Sequence, residues 1–302
     1  MLEVIAPTRI KLQNILIATD FSASAQLALS YALNLVHHYA AGLYVVNVLS
    51  HVPFAEAVQP DPWQIRLSAK QKMTDLTGLE SFQSIRHTEL IEEGEVAEVL
   101  SKLVPKYDID LIVIGTGGRK GLPRLLLGSV AEDIFRNAEC PVLTVGPHAT
   151  HREIDGHLQH IVYASDFGPG SIHALPYAVS LAEENRCRLT MLHVAPEPSE
   201  ALPEPEPGSL PVFDREEVAA YAEEELRDLI PAANQLWHAP EYVVQFGPTA
   251  ETIVKVAETA DMIVLGVKRP TPLTKHLGAG VAYQVACKAP CPVLSVGVQH
   301  HD

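Results

Sequence analysis

The chain has 302 residues, of which 47% are hydrophobic and 20% are charged, and its formal net charge is −15. This length suits two domains of about 150 residues, each with enough apolar residues for a proper core. The negative charge argues against non-specific binding to nucleic acid or to an anionic membrane surface. The N-terminus does not resemble a signal peptide and no stretch approaches the length of a membrane span, so we expect a cytoplasmic protein.

In the first half, short apolar runs alternate with segments whose apolar residues recur at helical spacing. Strands are predicted at 14–19, 43–49, 87–92, 111–115 and 142–145, and helices at 23–40, 64–79, 96–107 and 129–137. Ser22 is a suitable N-cap for the first helix, and Pro105 is expected to end the third helix early. The alternation predicts a parallel sheet with helices on both faces and right-handed crossovers.

The second half repeats this pattern. Gly266 follows Gly115 by 151 positions, and the segment Asp20-Phe21 recurs as Asp166-Phe167. A segment rich in Pro and Glu at 196–211 predicts an extended loop, and polar residues at 146–156 predict a linker. A repeat of this length indicates domain duplication, and we divide the chain into domains 1–147 and 157–302.

The chemistry is expected where strand order reverses, at the carboxyl ends of the first and fourth strands. Asp20 follows the first strand, and the fourth strand leads into glycines and a Gly-Ser pair that opens a helix: Gly115, Gly117, Gly118, Gly121, Gly128 and Ser129. Glycines let backbone N–H groups approach an anion, and a helix N-terminus favours negative charge. Such a loop suits a polyphosphate, with positive charge from Arg119, Lys120 and Arg124.

Each of these features also has a simpler interpretation. The glycines are compatible with an ordinary turn, Ser129 with a helix cap, and Asp20 with a carboxylate that organises the following turn. The two halves differ in this region, because Arg269 stands where the first half has Gly118, and Ala279 where it has Gly128. If the glycines hold a phosphate, the first half holds it and the second half does not.

The spacing Gly115-x2-Gly118-x9-Gly128-Ser129 resembles the universal stress protein family in tandem form. The resemblance also rests on Asn-Ile-Leu-Ile-Ala-Thr-Asp-Phe-Ser near the start and on Cys-Pro-Val-Leu-Thr-Val at the end of the unit, and it covers 10–147 and 157–299. It implies two tandem Rossmann-like α/β domains, each a five-stranded parallel sheet flanked by helices. It also implies an intrachain pseudo-dimer that pairs the last strands, 142–145 and 293–296.

Family members with this glycine pattern bind ATP, so the resemblance implies an ATP site in the first domain, with magnesium brought by the nucleotide. It places Asp20 on the ribose, the backbone of Val48 on the adenine, and the glycine loop on the phosphates. Ala18 stands where many ATP-binding members have proline. The full set of nucleotide-binding residues that it implies is Ala18, Thr19, Asp20, Val48, Gly115, Thr116, Gly118, Gly128, Ser129 and Val130.

The expected function is an ATP-binding stress-response or signalling protein whose second domain is a degenerate dimer partner. Hydrolysis is expected to be slow or absent, because no obvious general base or metal-binding carboxylate pair accompanies the glycine loop. We assign no catalytic residue and no metal site, since the histidines and cysteines lack ligand spacing. Two alternatives stay open, a low-turnover ATPase and a scaffold that binds lipid or another non-nucleotide ligand through the second domain. The sequence leaves open a homodimer of chains and the identity of a protein partner.

Overall fold

The fold is known from a computed structural model that describes residues 10–50, 61–116, 131–134, 138–149, 158–197, 214–230, 236–267 and 280–297. The strands of the first half are β1 (Asn14–Ala18), β2 (Gly42–Leu49), β3 (His87–Glu93), β4 (Leu111–Gly115) and β5 (Val142–Val145). Its helices are α1 (Ala23–Tyr39), α2 (Pro62–Thr77) and α3 (Val96–Lys106), and residues 131–134 are also helical.

The second half has the same alternation of elements. Its strands are β6 (His160–Ser165), β7 (Arg188–Ala195), β8 (Glu241–Phe246), β9 (Met262–Val267) and β10 (Val293–Gly297). Its helices are α4 (Pro169–Asn185), α5 (Arg215–Asp228), α6 (Thr249–Val256) and α7 (Val281–Lys288). The predicted tandem α/β fold is therefore confirmed.

Two helix boundaries differ from the prediction for reasons that are local. α2 begins at Pro62, earlier than expected, because the Asp61 carboxylate accepts a hydrogen bond from the N–H of Trp63 and proline suits the first helical turn. α3 continues through Pro105 to Lys106 rather than ending before the proline. The N–H of Tyr107 still donates to the carbonyl of Leu103 at 3.1 Å, so the last turn stays hydrogen-bonded.

All ten strands form one sheet in the order β3-β2-β1-β4-β5-β10-β9-β6-β7-β8. Within each half the pairing is parallel, whereas β5 and β10 pair antiparallel at the centre. Leu143 lies opposite Leu294, with Thr144 opposite Val293 and Val142 opposite Ser295. This register is that of a twofold axis between equivalent strands, so the predicted intrachain pseudo-dimer is present.

The sheet lies between two helical layers that each extend across both halves. One apolar core joins the sheet to α1, α2, α4 and α5, and includes Leu29, Met73, Ala178 and Leu226. The other joins the opposite face to α3, residues 131–134, α6 and α7. Both sheet faces are therefore covered, as expected for parallel strands that read as continuous apolar runs.

Candidate functional site

The candidate site lies at the carboxyl edge of the first half, where β1 is flanked by β2 on one side and β4 on the other. Ala18, the last residue of β1, pairs with Val46 of β2 and with Ile114 of β4. The chain then leaves the sheet through Thr19 and Asp20 after β1 and through Thr116 after β4. The strand order reverses at this point, which is where open parallel sheets bind ligands.

The turn between β1 and α1 places the carboxylate of Asp20 beyond the carboxyl end of β1. Thr19 is buried and its hydroxyl accepts the N–H of Phe21 at 3.0 Å, while Asp20 is exposed and its Oδ1 accepts the N–H of Ser22 at 3.0 Å. Phe21 takes the left-handed backbone conformation, with φ of 63°. That conformation is unfavourable for a residue with a side chain, by about 1–2 kcal/mol, so neighbouring hydrogen bonds must hold it.

A buried amide from β2 supports this turn. Asn47 is 7% exposed, and its Nδ2 donates to the carbonyl oxygen of Thr19 at 2.8 Å. Asn47 is not among the residues predicted from the sequence, although a polar side chain in the apolar run of β2 was the available signal. In the second half Nδ1 of His193 lies 2.9 Å from the carbonyl oxygen of Ser165. His193 follows Asn47 by the same 146 positions that separate Asp166 from Asp20, so the support is present in both copies with different chemistry.

The equivalent carboxylate in the second half is more heavily hydrogen-bonded. Oδ1 of Asp166 accepts the N–H of Gly168 at 2.9 Å and the hydroxyl of Ser171 at 2.9 Å. Ala25 holds the position of Ser171 in the first half, so Asp20 lacks that side-chain donor. The ring of Phe167, which follows Asp166, stacks on His193 with 4.5 Å between centroids. At this second edge the carboxylate is therefore bonded to Gly168 and Ser171, and the ring of Phe167 is covered by His193.

Gly115 and Gly266 are required by packing. A Cβ on Gly115 would lie 2.3 Å from the carbonyl oxygen of Ser24 in the first turn of α1. A Cβ on Gly266 would lie 2.0 Å from the carbonyl carbon of Gly170 in the first turn of α4. Both glycines let a helix start approach the end of a strand, so their presence in both halves has a structural reason that is independent of a phosphate.

The other predicted site residues divide into two groups. Thr116 is buried, and its N–H donates to the carbonyl of Val145 at 3.0 Å, which fixes the start of the segment after β4. Val48 is half-buried in β2, opposite Glu92 of β3. Gly118, Gly128, Ser129 and Val130 lie outside the described residues, as do Arg269 and Ala279 in the second half.

One cation lies beside the turn that carries Asp20. Nζ of Lys72, on α2, is 5.7 Å from the ring centroid of Phe21.

Among the residues that the structure describes, no group of three His, Cys, Asp or Glu side chains is arranged to hold a metal ion. In that same part of the chain, no helix has the length and apolar character needed to cross a bilayer.

The model of the universal stress protein family matches this chain twice, at residues 11–146 and 157–297. The chain belongs to the universal stress protein family. Curated relatives include a universal stress protein of Methanocaldococcus jannaschii, 34% identical over 144 residues that make up 44% of this chain and 81% of the relative. Another is a universal stress protein A homologue of Coxiella burnetii, 34% identical over 44% of this chain and 95% of the relative.

The tandem arrangement also occurs among solved structures. A universal stress protein from Archaeoglobus fulgidus superimposes with a TM-score of 0.69 over 95% of this chain and 99% of that chain, at 18% identity. A putative universal stress protein from Pseudomonas aeruginosa superimposes with a TM-score of 0.53 over 95% of this chain and 93% of that one, at 15% identity. At these identities the likeness concerns the fold, and it extends across both halves of this universal stress protein.

Proposed function

We propose that this universal stress protein binds ATP in its first half and acts in a stress response or in signalling. Asp20 accepts the ribose hydroxyls, the backbone at Val48 contacts adenine, and the loop from Gly115 to Ser129 holds the phosphates. Gly118, Gly128, Ser129 and Val130 belong to that phosphate-binding segment. A chain with a net charge of −15 repels an anion at long range, so these local N–H donors have to supply the attraction.

The difference between Asp20 and Asp166 carries the proposal. Both carboxylates are exposed at equivalent edges, but Asp166 takes a hydroxyl donor, Ser171, that Asp20 lacks. Lys72 adds a positive charge close to the first turn. The described part of this edge therefore suits the ribose of a nucleotide, because the Asp20 carboxylate faces solvent and can accept hydrogen bonds from hydroxyl groups.

The second half is proposed as a degenerate partner that binds the nucleotide weakly or not at all. Arg269 adds bulk and Ala279 adds a Cβ at the positions of Gly118 and Gly128. The stacked pair Phe167 and His193 further distinguishes this edge from the first. Its main contribution is the strand β10, which covers β5 and removes an apolar edge that would otherwise be open to association.

Titration calorimetry with Mg-ATP tests the proposal on matched variants of the intact chain. We expect one site per chain for the wild type. Asp20→Asn keeps an oxygen that accepts the N–H of Ser22 but loses the carboxylate charge, so we expect ATP binding about tenfold weaker or more. Asp166→Asn makes the same chemical change at the other edge and should leave the affinity unchanged.

Two equivalent sites, or equal losses in both variants, would contradict the assignment to the first half. A turnover assay with Mg-ATP addresses hydrolysis separately, with Gly118→Asp as the control that blocks the phosphate-binding segment. We expect little product from the wild type. Turnover that is rapid and abolished by Gly118→Asp would instead support an ATPase.

A further inference from the structure

Helix α2 exposes a face that combines apolar and basic residues in an acidic protein. The helix buries only Ala69 and Met73. Among its other residues, Trp63 is 69% exposed and Leu67 is 55% exposed. Arg66 and Lys70 lie on the same side, because residues three, four and seven apart share one face of a helix. We call Trp63, Arg66, Leu67 and Lys70 the α2 basic face.

The charges of the α2 basic face are available to a partner. Nη1 of Arg66 lies 2.8 Å from Oε1 of Glu93, with about half of each side chain exposed (49% and 53%). An exposed pair of this kind contributes little to stability, so exchanging Glu93 for the carboxylate of a partner costs little. Lys70 is exposed as well.

Helix α5 presents the opposite character. It buries only Ala222 and Leu226, and on its other side Tyr221 is 66% exposed. Glu224 and Asp228 are exposed and follow Tyr221 by three and seven positions. Glu217, one turn earlier, shares this side but also closes the capping box with Asp214. We call Glu217, Tyr221, Glu224 and Asp228 the α5 acidic face.

The two faces match in spacing and in charge. In the α2 basic face an aromatic residue is followed by cations three and seven positions later, at Arg66 and Lys70. In the α5 acidic face an aromatic residue is followed by anions at the same intervals, at Glu224 and Asp228. The helices have 16 and 14 residues and therefore similar lengths.

The two faces lie too far apart to meet within one chain. α2 packs on β2 and β3 and α5 packs on β7 and β8, so they cover opposite ends of the ten-stranded sheet. We propose that the α2 basic face of one chain docks on the α5 acidic face of a second copy, aromatic against aromatic and cation against anion. A contact between two different surfaces is heterologous, and it extends head to tail unless the geometry closes a ring.

Sedimentation equilibrium on the full chain tests this contact. We expect association at about 50 mM salt that is lost at about 500 mM, because exposed charges are screened over a few ångströms at high salt. Reversing either face, with Arg66→Glu/Lys70→Glu or with Glu224→Lys/Asp228→Lys, should raise the Kd of self-association by about tenfold or more. Mixing the two variants should restore association, because each then meets a surface of opposite charge.

A matched control separates docking from net charge. Lys102→Glu/Lys106→Glu makes the same change in charge as Arg66→Glu/Lys70→Glu, but on α3, which covers the opposite face of the sheet, and should leave association intact. Circular dichroism of each variant verifies that the helix content of the chain is unchanged. A wild type that keeps the mass of one chain at about 100 μM in low salt would overturn the proposal. A mixture that fails to associate, or a control that weakens association as strongly as the reversals, would do the same.

Discussion

At the scale of single residues, His160 distinguishes the two halves at the start of their first strands, β6 and β1. It is 6% exposed in β6, and its Nε2 lies 2.8 Å from Oγ1 of Thr190, which in turn donates to Glu241. Burial lowers the pKa of His160, and the charge of Arg188 lowers it further. The equivalent residue of the first half is Asn14, which does not titrate. A single substitution between the copies therefore introduces a proton-sensitive position.

The lowered pKa of His160 predicts a loss of stability in acid. Because the unfolded chain binds a proton at about pH 6.5 and the folded chain only at lower pH, the free energy of unfolding falls as pH drops below that value. His160→Asn copies the first half and should weaken this fall. Urea unfolding at about pH 7.5 and about pH 5.5 measures it. The exposed His173→Asn serves as the control and should keep the wild-type difference between the two pH values; equal behaviour of both variants would refute the prediction.

At the scale of elements, the contact between a strand end and a helix start sets the glycine pattern. Gly115 is predicted to lie in an anion site because glycines after a strand favour one, whereas Gly266 marks the same position of the repeat in the second half. The structure adds a packing reason for both, since α1 and α4 each begin against the strand end. Gly280, in contrast, caps α7 with φ of −63° and has open space where a Cβ would point.

This contrast predicts opposite outcomes for two glycine substitutions. Gly266→Ala forces a methyl group against the backbone of Gly170 and Ser171, so we expect a loss of about 3 kcal/mol in the free energy of unfolding. Gly280→Ala meets nothing within 4 Å and should change stability by about 0.5 kcal/mol or less. Thermal unfolding of both variants decides the matter. Equal losses would show that backbone freedom, rather than the close approach, explains these glycines.

Most elements were predictable from the sequence because their apolar periodicity is strong. The runs at β1 and β4 read directly as buried strands, and the Ser22 cap marked the start of α1. The contacts of Asn47 and His193 with the turn after the neighbouring strand could not be predicted, because the sequence does not show which backbone group a polar residue in a strand will meet. The difference between Asp20 and Asp166 was equally hidden, since it depends on a hydroxyl five residues further along the chain.

At the scale of the whole molecule, the central strand pair makes the two halves one structure. Leu143 and Leu294 lie opposite each other, are 1% and 5% exposed, and belong to the core that joins helices of both halves. Tyr39 of α1 also donates a hydrogen bond to the buried Glu184 of α4. Contacts of this kind couple the stability of one half to that of the other.

Truncation at the centre should therefore weaken both halves together. Leu143→Ala removes buried methyl groups, and we expect it to cost about 3 kcal/mol. Hydrogen exchange should accelerate in β1 and β6 alike, because both exchange through unfolding of the joined sheet. Leu103→Ala, in the core of α3 away from the junction, provides the comparison for a loss within the first half. Faster exchange confined to β1 in Leu143→Ala would show that the halves unfold independently.

β5 and β10 belong to one chain, so the two sides of their pairing can change independently during evolution. In a homodimer one gene supplies both subunits, so each inherited change appears on both sides of the symmetry axis. Here Thr144 pairs with Val293 within a single chain. Ser295 is the residue of the second half that corresponds to Thr144, and it is encoded separately. Selection can thus retain Ala25 in one copy and Ser171 in the other, and the second copy becomes free to drift while the shared sheet is preserved.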